Sequence, residues 1–344
     1  MIDGNEKTDA VYIIAEIGVN HNGDVNLAKQ LIDAAADAGC DAAKFQTYST
    51  EKLVTKRAEK AAYQVKNTHN AESQYTMLKK LELSVDDFAC LKAHCAKRQI
   101  EFLSTPFDHA SVAVLENLGV ARYKIGSGDL TNKPLIECVA RTNKPLILST
   151  GMAELEEVAT SLAWVREVSK APVSLLHCTS NYPTAYDDVD MLAMETLHKT
   201  FGCPVGYSDH TIGFEIPIMA VALGACIIEK HITLDHAMEG PDHRASLEVK
   251  DLKTLVSMIR HVEAAFGNPE KHTRDSEAQT ALVARKSVVA LRDMKRGETI
   301  GAQDVAIKRP GSGLPPSSLD GVIGSVLACD VVADTPLREV DLLS

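Results

Sequence analysis

The sequence has no strongly basic run, no long apolar stretch and no C-x-x-C pair, and each absence argues against a class of protein. Acidic residues outnumber basic ones by 47 to 36 in a chain of 344 residues with a formal net charge of −11. Neither nucleic acid nor an anionic membrane is therefore expected as a partner. No apolar run reaches the roughly eighteen residues of a membrane helix, and no basic segment followed by an apolar one opens the chain. We expect a protein that is neither secreted nor membrane-spanning.

The eight cysteines are scattered singly, mostly within apolar segments. Cysteines of this kind are typical of small, reduced core residues rather than of a disulfide framework. The cysteine pattern therefore predicts a cytoplasmic protein.

An alternation of strand-like and helical segments fills most of the chain. The first unit runs from a β-branched strand at 11–17 through a polar turn to a helix at 24–38. Further strand-like segments lie at 41–46, 100–104, 121–126, 145–149, 173–178, 204–207 and 226–229, and helical patterns at 86–98, 108–118, 154–168, 213–223 and 251–265 follow several of them. Eight such units predict a (β/α)8 TIM barrel. A doubly wound open sheet is the alternative, and it is disfavoured because polar, site-like residues follow nearly every strand.

Two segments depart from a plain barrel. A long insertion at 47–84 follows the second strand, where it is expected to be a lid or substrate-selecting element, or else a surface loop. After a polar stretch at 267–279 the pattern changes to short strands and turns. We therefore expect a catalytic barrel over residues 1–272, a linker over 273–285 and a small, mostly β domain over 286–344. So small a core favours docking against another surface.

Two histidines, His210 and His231, each follow a strand-like segment. The C-terminal ends of adjacent barrel strands face the same open mouth, where catalytic groups gather. A carboxylate stands beside each histidine, Asp209 in one case and Glu229 in the other. Two satisfied core histidines are the alternative, but their matched positions favour a divalent-metal site.

Polar residues also follow the first six strands. They are Glu16, Lys44, Gln46, Ser104, Thr105, Lys124, Ser127, Asp129, Ser149, Thr150, Thr179, Ser180 and Tyr182. Lysines, hydroxyls and Gly-flanked backbone are the groups that hold a phosphate or a carboxylate. Glu16, Asp209, Glu229 and Asp242 add acid/base or metal-shell capacity.

A series of motifs, in order along nearly the whole chain, resembles the sialic acid synthases. The motifs are Ala15-Glu16-Ile17-Gly18-Val19-Asn20-His21-Asn22-Gly23, Lys44-Phe45-Gln46-Thr47, Ser104-Thr105-Pro106-Phe107, Tyr123-Lys124-Ile125-Gly126-Ser127-Gly128-Asp129, Leu148-Ser149-Thr150-Gly151-Met152, His177-Cys178-Thr179-Ser180-Asn181-Tyr182-Pro183, Tyr207-Ser208-Asp209-His210-Thr211 and Lys308-Arg309-Pro310-Gly311. The part of the chain that follows the linker resembles the family's antifreeze-like domain, also called a SAF domain.

This resemblance implies the condensation of phosphoenolpyruvate with an N-acetylated mannosamine-type sugar, which gives a nine-carbon 2-keto acid and phosphate. It implies a divalent metal, of which Mn2+ is the first choice and Mg2+ or Co2+ are alternatives. The catalytic residues implied are Glu16 as acid/base and His210 and His231 as metal ligands. The residues implied for phosphoenolpyruvate are Lys44, Thr105, Lys124, Ser127, Ser149 and Ser208. Those implied around the sugar are Gln46, Asp129, Ser180, Tyr182, Asp242 and Arg309, the last reaching the other subunit's site in a domain-swapped homodimer.

The resemblance leaves the sugar open. Asp129 and Ser180 differ from the Glu and Asn of some neuraminate-forming bacterial members, while Asp129 matches the animal neuraminate synthases. The segment Gln74–Leu83 resembles members that make legionaminic acid from 2,4-diacetamido-2,4,6-trideoxymannose. N-acetylneuraminate and legionaminate are therefore equal alternatives, and pseudaminate ranks below them.

Two functions of other classes also remain open. One is a (β/α)8 lyase or aldolase that forms a Schiff base on Lys44 or Lys124. The other is a non-catalytic barrel that binds a partner through its small C-terminal domain.

Overall fold

A computed structural model describes residues 10–68 and 72–343, which form two compact units, one up to Gly267 and the other from Asn268. The first unit contains eight parallel strands that are hydrogen-bonded in the order β3-β2-β1-β8-β7-β6-β5-β4. The strands are β1 (Tyr12–Gly18), β2 (Ala42–Thr47), β3 (Glu101–Pro106), β4 (Tyr123–Ile125), β5 (Leu146–Ser149), β6 (Val173–His177), β7 (Val205–Asp209) and β8 (Ile227–Thr233). Because β3 and β4 also contact each other, the sheet is a nearly closed barrel. The predicted (β/α)8 fold is confirmed.

The helices of this unit surround the barrel or belong to the insertion after β2. They are α1 (Val25–Ala38), α2 (Thr50–Leu53), α3 (Ala62–Thr68), α4 (Gln74–Leu81), α5 (Val85–Arg98), α6 (His109–Leu118), α7 (Lys133–Ala140), α8 (Leu155–Val168), α9 (Ala193–Phe201), α10 (Glu215–Ala222) and α11 (Val249–Phe266). A two-residue strand, β9 (Leu247–Glu248), pairs with the end of β8. Local sequence sets the helix ends: Asp24 caps the first turn of α1, and Gly39 ends that helix in a left-handed conformation. No helix in the described ranges is long and apolar enough to cross a bilayer.

Alternation along the strands separates two apolar layers. Residues such as Ile13 and Ile17 pack outward against the helices, in the main core of the unit. Inside the barrel a smaller layer is formed by Ile14, Ala42, Leu103, Ile147, Leu176 and Ile227. Side chains two positions further along a strand return to the same face. The next interior layer, towards the C-terminal mouth, therefore includes Glu16, Lys44, Thr105, Ser149 and Glu229.

The insertion packs on the rest of the unit through its own apolar cluster. Met77 and Leu81 of α4 lie against Val19 and Tyr48, which are both buried. His69, Asn70 and Ala71, within the predicted insertion, lie outside the described residues. Its role as a lid or selecting element stays a prediction.

The second unit is built around a short antiparallel pair. It contains α12 (Ala278–Ala284), β10 (Ser287–Ala290), β11 (Val305–Lys308) and α13 (Leu319–Val322). Isolated bridges add further pairing, for example between Met294 and Val331. A separate core that includes Val288, Ile300 and Leu327 holds these segments together.

Candidate active site

Two lysines and two glutamates form a buried network inside the barrel. Nζ of Lys44 lies 2.6 Å from Oε2 of Glu16 and 3.6 Å from Oε2 of Glu229. Nζ of Lys124 donates to Oε1 of Glu229 at 2.9 Å, and the hydroxyl of Ser208 donates to the same oxygen at 2.9 Å. All five residues are buried. Two positive and two negative side chains offset one another, which is what allows charged groups to be buried together.

The two glutamates of the network differ in how readily they hold a proton. Burial raises the pKa of Glu16, and the nearby charge of Lys44 offsets this only in part. Burial acts in the same direction on Glu229, but Lys124 and Lys44 together lower its pKa below the ordinary glutamate range. Glu229 is therefore the fixed counter-ion of the lysines, and Glu16 is the carboxyl that can exchange a proton.

Hydroxyl groups lie next to this network. Oγ1 of Thr105 accepts a hydrogen bond from Lys44 at 3.4 Å. Ser149 is buried, and its hydroxyl has no hydrogen-bond partner among the residues that the structure describes. A buried hydroxyl of this kind is available to a ligand.

The predicted residues Ser127 and Ser180 meet at Gly151. The backbone N–H of Gly151 donates to Oγ of Ser127 at 3.1 Å. A Cβ on Gly151 would stand 2.5 Å from Oγ of Ser180 and 2.8 Å from Oγ of Ser127, closer than real contacts allow. Glycine at this position therefore lets two hydroxyls crowd together after β4, β5 and β6, as a site for an anion requires.

The two histidines come together as predicted. The ring centroids of His210 and His231 are 5.7 Å apart. Burial lowers the pKa of His210 to about 4. Burial also lowers the pKa of His231 well below its usual value, and the charges of His210 and Lys44 lower it further. Both imidazoles are therefore neutral near pH 7.

Hydrogen bonding fixes the tautomer of one of these rings. Nδ1 of His210 lies 2.7 Å from the carbonyl oxygen of Thr179. A carbonyl oxygen only accepts, so Nδ1 carries the proton and Nε2 keeps a free lone pair. The buried Nδ1 of His231 has no hydrogen-bond partner within the described part of the chain.

The donors present fit a divalent metal that is held only in part by the protein. No group of three or more His, Cys, Asp or Glu side chains in residues 10–68 and 72–343 is arranged to hold a metal ion. Two neutral imidazoles at the open barrel mouth leave coordination positions for oxygen atoms of water or substrate, as catalytic metal sites do. The expected ligands His210 and His231 are therefore suitably placed, and the metal itself stays a prediction.

Gly18 shows how closely the side chains around the histidines converge. A Cβ on this glycine, which has φ +55°, would lie 3.2 Å from Oε1 of Glu16, 3.4 Å from Nε2 of Gln46 and 3.5 Å from Cε1 of His231. Nε2 of Gln46 also donates to Oε1 of Glu16 at 3.3 Å. The predicted acid/base, one predicted sugar residue and one predicted metal ligand thus share one corner of the site.

Tyr182 and Asp242 lie on the mouth side of the site. The Tyr182 ring is 4.1 Å from that of His210 and stands edge-on to His231 at 6.0 Å, centroid to centroid. Asp242 is only 8% exposed, and its Oδ1 has no hydrogen-bond partner in the part of the chain described by the structure. Burial, with a smaller contribution from the charge of Glu16, raises the pKa of Asp242 to about 7.

The other two predicted sugar residues stand apart from these contacts. Asp129 lies in a short 3-10 turn, Ser127–Asp129, where it accepts a hydrogen bond from Nδ2 of Asn132 at 2.8 Å. Arg309 directly follows β11 in the second unit and is exposed. The sugar contact expected of each stays a prediction.

The structure adds two residues that were not assigned to the site from sequence. Glu229 was expected to offer acid/base or metal-shell capacity beside a histidine, yet it joins both lysines and Ser208. Two-residue alternation with His231 along β8 was the signal that could have found it. Tyr63 of α3 packs on Tyr182 with ring centroids 5.1 Å apart, a contact between distant segments that no local pattern announces.

Known proteins resemble this chain over almost its full length. Residues 31–271 match the NeuB family, and residues 285–343 match the SAF domain. The N,N'-diacetyllegionaminic acid synthase of Legionella pneumophila is 46% identical, over 95% of this chain and 93% of its own. The synthase of the same name from Campylobacter jejuni is 45% identical, over 95% of this chain and 98% of its own.

One solved structure supports the same relationship. The N-acetylneuraminic acid (sialic acid) synthetase of Leptospira borgpetersenii is 37% identical, with a TM-score of 0.70, over 79% of this chain and 90% of its own. The resemblance to sialic acid synthases is therefore confirmed, and the chain belongs to the NeuB family and carries a SAF domain.

Proposed function

We propose that the protein condenses phosphoenolpyruvate with 2,4-diacetamido-2,4,6-trideoxymannose to give N,N'-diacetyllegionaminate and phosphate. The observation that carries the proposal is the buried network of Lys44, Lys124, Glu16 and Glu229 beside two neutral histidines. The lysines of this site suit a small anion, and the histidine pair suits the group that activates an electrophile. The relatives with 45% and 46% identity bear the name of this synthase.

The lysines and hydroxyls bind the anionic substrate. Lys44 and Lys124 supply the positive charge that an acidic protein needs at this place. Both already face Glu229, so an entering carboxylate or phosphate shares the lysines with a counter-ion that remains charged. Ser149 supplies a hydroxyl with no other partner in the described residues. Ser127 supplies a hydroxyl near Gly151, next to Ser180, which was expected on the sugar side.

The histidines face the sugar. Under this proposal His210 and His231 would hold a divalent cation, of which Mn2+ is the first choice. When bound, the cation would supply a Lewis acid for the sugar aldehyde. The Nδ1–H bond of His210 to the Thr179 carbonyl keeps that ring in one orientation. The Tyr182 ring lies 4.1 Å from the His210 ring at an interplanar angle of 41° and covers one side of it.

Glu16 is the residue proposed to move a proton. C3 of phosphoenolpyruvate forms the new carbon-carbon bond with the aldehyde carbon, whose oxygen takes up a proton and becomes a hydroxyl. Water then adds at the electron-poor C2, and the C–O bond to phosphate breaks as the remaining hydroxyl proton leaves, which gives the C2 ketone and inorganic phosphate. The water must lose a proton as it adds, and a carboxylate beside Lys44 is placed to accept it. Its raised pKa brings its proton affinity closer to neutral pH.

N-acetylmannosamine is the second candidate for the sugar. The observation in its favour is the 37% identity to a solved N-acetylneuraminic acid synthetase. We rank it below the diacetamido sugar because the two synthases named for legionaminic acid are more similar to this chain.

The proposal also includes a cytoplasmic, domain-swapped homodimer. In this dimer Arg309 of one subunit contacts the sugar bound in the other subunit's barrel.

A substrate panel tests this function. Purified protein is given Mn2+, phosphoenolpyruvate and each amino sugar in turn, and phosphate release is measured, followed by mass spectrometry of the product. We expect phosphate only when both substrates are present, and the product mass of the diacetamido acid with the preferred sugar. Absence of phosphate release with every sugar would support a non-catalytic barrel. Trapping of a Lys44 or Lys124 adduct by borohydride with pyruvate would support an aldolase.

A further inference from the structure

Helix α3 of the insertion is attached to the loop that follows β8. Nδ2 of Asn67 donates to the carbonyl oxygen of Pro241 at 2.6 Å, and Pro241 immediately precedes the site residue Asp242. At its own ends the helix is held by a hydrogen bond from Nζ of Lys60 to Oγ1 of Thr68 at 2.7 Å. The insertion thus places one face of α3 beside the barrel mouth.

Tyr63 extends a row of rings that starts at the histidine pair. The Tyr182 ring lies 4.1 Å from that of His210, and the Tyr63 ring lies 5.1 Å from that of Tyr182 at an interplanar angle of 31°. Tyr63 is therefore the second ring out from the histidines. It comes from the insertion rather than from a barrel strand.

An unpaired acceptor directly follows the residue to which α3 is attached. Oδ1 of Asp242 is buried without a hydrogen-bond partner in the residues that the structure describes. Burial, and after it the charge of Asp242, raises the pKa of the Tyr63 phenol, as expected for neighbouring groups. A buried carboxyl oxygen of this kind is available to a ligand hydroxyl or amide N–H. The hydrogen bond between Asn67 and Pro241 thus attaches the helix that carries the Tyr63 ring to the residue before this acceptor.

The two candidate sugars differ most in the half that lies away from the aldehyde. N-acetylmannosamine carries hydroxyl groups at C4 and C6, whereas the diacetamido sugar carries an acetamido group at C4 and a methyl group at C6. If the aldehyde lies at the histidines, the Tyr182 ring faces the half of the sugar that carries the aldehyde. The Tyr63 ring then faces the half that carries C4 to C6. An aromatic ring gains more from contact with methyl groups than from contact with hydroxyls.

We propose that Tyr63 is a specificity-determining residue, whose ring packs against the acetamido- and methyl-bearing half of the sugar and so favours the diacetamido substrate. The inference rests on the proposed function and deepens it. It also gives the insertion a defined task, because the barrel strands supply the reacting groups and α3 supplies the contact that separates one sugar from the other.

The test compares kcat/KM for the two sugars in Tyr63→Ala, Tyr63→Phe and Tyr75→Ala. Tyr75 is the matched control, since it belongs to the same insertion but its hydroxyl donates to Glu51 at 3.1 Å. In Tyr63→Ala the preference for the diacetamido sugar should fall about tenfold, the usual effect of losing one apolar contact. The KM for phosphoenolpyruvate should not change. Tyr63→Phe keeps the ring and should keep the preference, as should Tyr75→Ala.

Three outcomes would overturn the inference. One is an equal loss of kcat/KM for both sugars in Tyr63→Ala, which would mean that the Tyr63 ring only supports Tyr182. Another is an equal loss of preference in Tyr63→Phe and Tyr63→Ala, which would assign the selection to the hydroxyl. The third is the same change in Tyr75→Ala. If Tyr63→Ala lowers the Tm, Tyr63→Leu fills the space without an aromatic face and gives the same comparison. Phosphate release by the wild type with either sugar tests the proposed activity separately, so the two failures are distinguishable.

Discussion

Asp209 and Lys230 form an ion pair with 2.5 Å between Oδ2 and Nζ, and their side chains are 0% and 1% exposed. The two residues are register neighbours on β7 and β8, and each directly precedes one of the site histidines. Lys230 also donates to the carbonyl oxygen of Thr211, and Oδ1 of Asp209 accepts from the backbone N–H of Thr211. The pair thus fixes the backbone that directly follows His210.

Removing one partner of this pair should cost much more than removing an exposed charge. We expect Lys230→Met to lower the free energy of unfolding by about 3–5 kcal/mol, because Asp209 is left buried and uncompensated. Urea denaturation measures the change. Lys295→Met, which breaks an exposed pair with Asp330, is the control and should have little effect. Equal stability of the two variants would show that the buried pair has no special role.

The histidine pair should be needed for metal binding but not for folding. His210→Ala and His231→Ala should each abolish turnover and weaken Mn2+ binding at least tenfold, since under the proposed function each would supply one of the two protein nitrogens. The electron paramagnetic resonance signal of free Mn2+ measures binding without any turnover. His261→Ala changes an exposed histidine of α11 and is the matched control. Unchanged Mn2+ affinity in both site variants would remove the metal assignment.

Strand alternation made much of this site predictable from sequence. Lys44, Lys124 and Ser149 lie where strand-like segments end, so a barrel fold is enough to bring them to one mouth. Alternation within β8 also relates Glu229 to His231, which lies two residues further on and faces the same barrel interior. The pairing of Asp209 with Lys230 on the side of the helices was not predictable in this way. It depends on the register between β7 and β8, and that register is visible only in the folded sheet.

Glu16 should control the rate of the chemical step rather than substrate binding. Glu16→Gln keeps the shape of the side chain but cannot accept a proton, so kcat should fall by about 100-fold or more while KM changes little. Because burial raises the pKa of Glu16, wild-type kcat should rise with pH through a value above the ordinary glutamate range. The pH profile of kcat measures this. The prediction fails if Glu16→Gln shows the same rising limb as the wild type.

Asp242 should make the ligand-free protein less stable as the pH rises. The pKa of this carboxyl is about 7 in the folded state against 3.8 as the ordinary value, so the folded protein holds a proton that the unfolded chain has released. Stability should therefore fall between about pH 4 and about pH 7, by up to about 4 kcal/mol. Asp242→Asn cannot ionise and should not show this loss. Urea denaturation of both proteins across that range gives the difference, and a constant difference would contradict the buried, unpaired carboxyl.

The contribution of Arg309 could be predicted only through family resemblance. It lies on an exposed segment after β11, and its own surroundings indicate no chemistry. The same holds for Tyr63, whose place beside Tyr182 depends on how the insertion folds back over the barrel. Tyr63, which an inserted segment supplies, escapes strand-end reasoning because tertiary contacts alone bring it beside Tyr182.

Arg309→Ala should raise the KM for the sugar more than the KM for phosphoenolpyruvate. A guanidinium can bind sugar or N-acetyl oxygens in a planar, two-point contact that alanine cannot replace. Steady-state kinetics with each substrate varied in turn measures the two constants. Arg296→Ala, an exposed arginine of the same unit, is the control. An unchanged sugar KM would remove Arg309 from the site.

Mixing His210→Ala with Arg309→Ala, assayed at a sugar concentration far below the raised KM at which neither parent turns over, should then show whether Arg309 serves its own barrel or the partner's. In a swapped dimer of His210→Ala with Arg309→Ala, the intact barrel receives the intact arginine of the other subunit, so one site of the two works. After the mixture is unfolded and refolded, random pairing should restore about a quarter of the wild-type activity. If each arginine served its own barrel, every site would carry one defect and no activity would return. The recovered activity therefore separates the two arrangements without any further substitution in either parent variant.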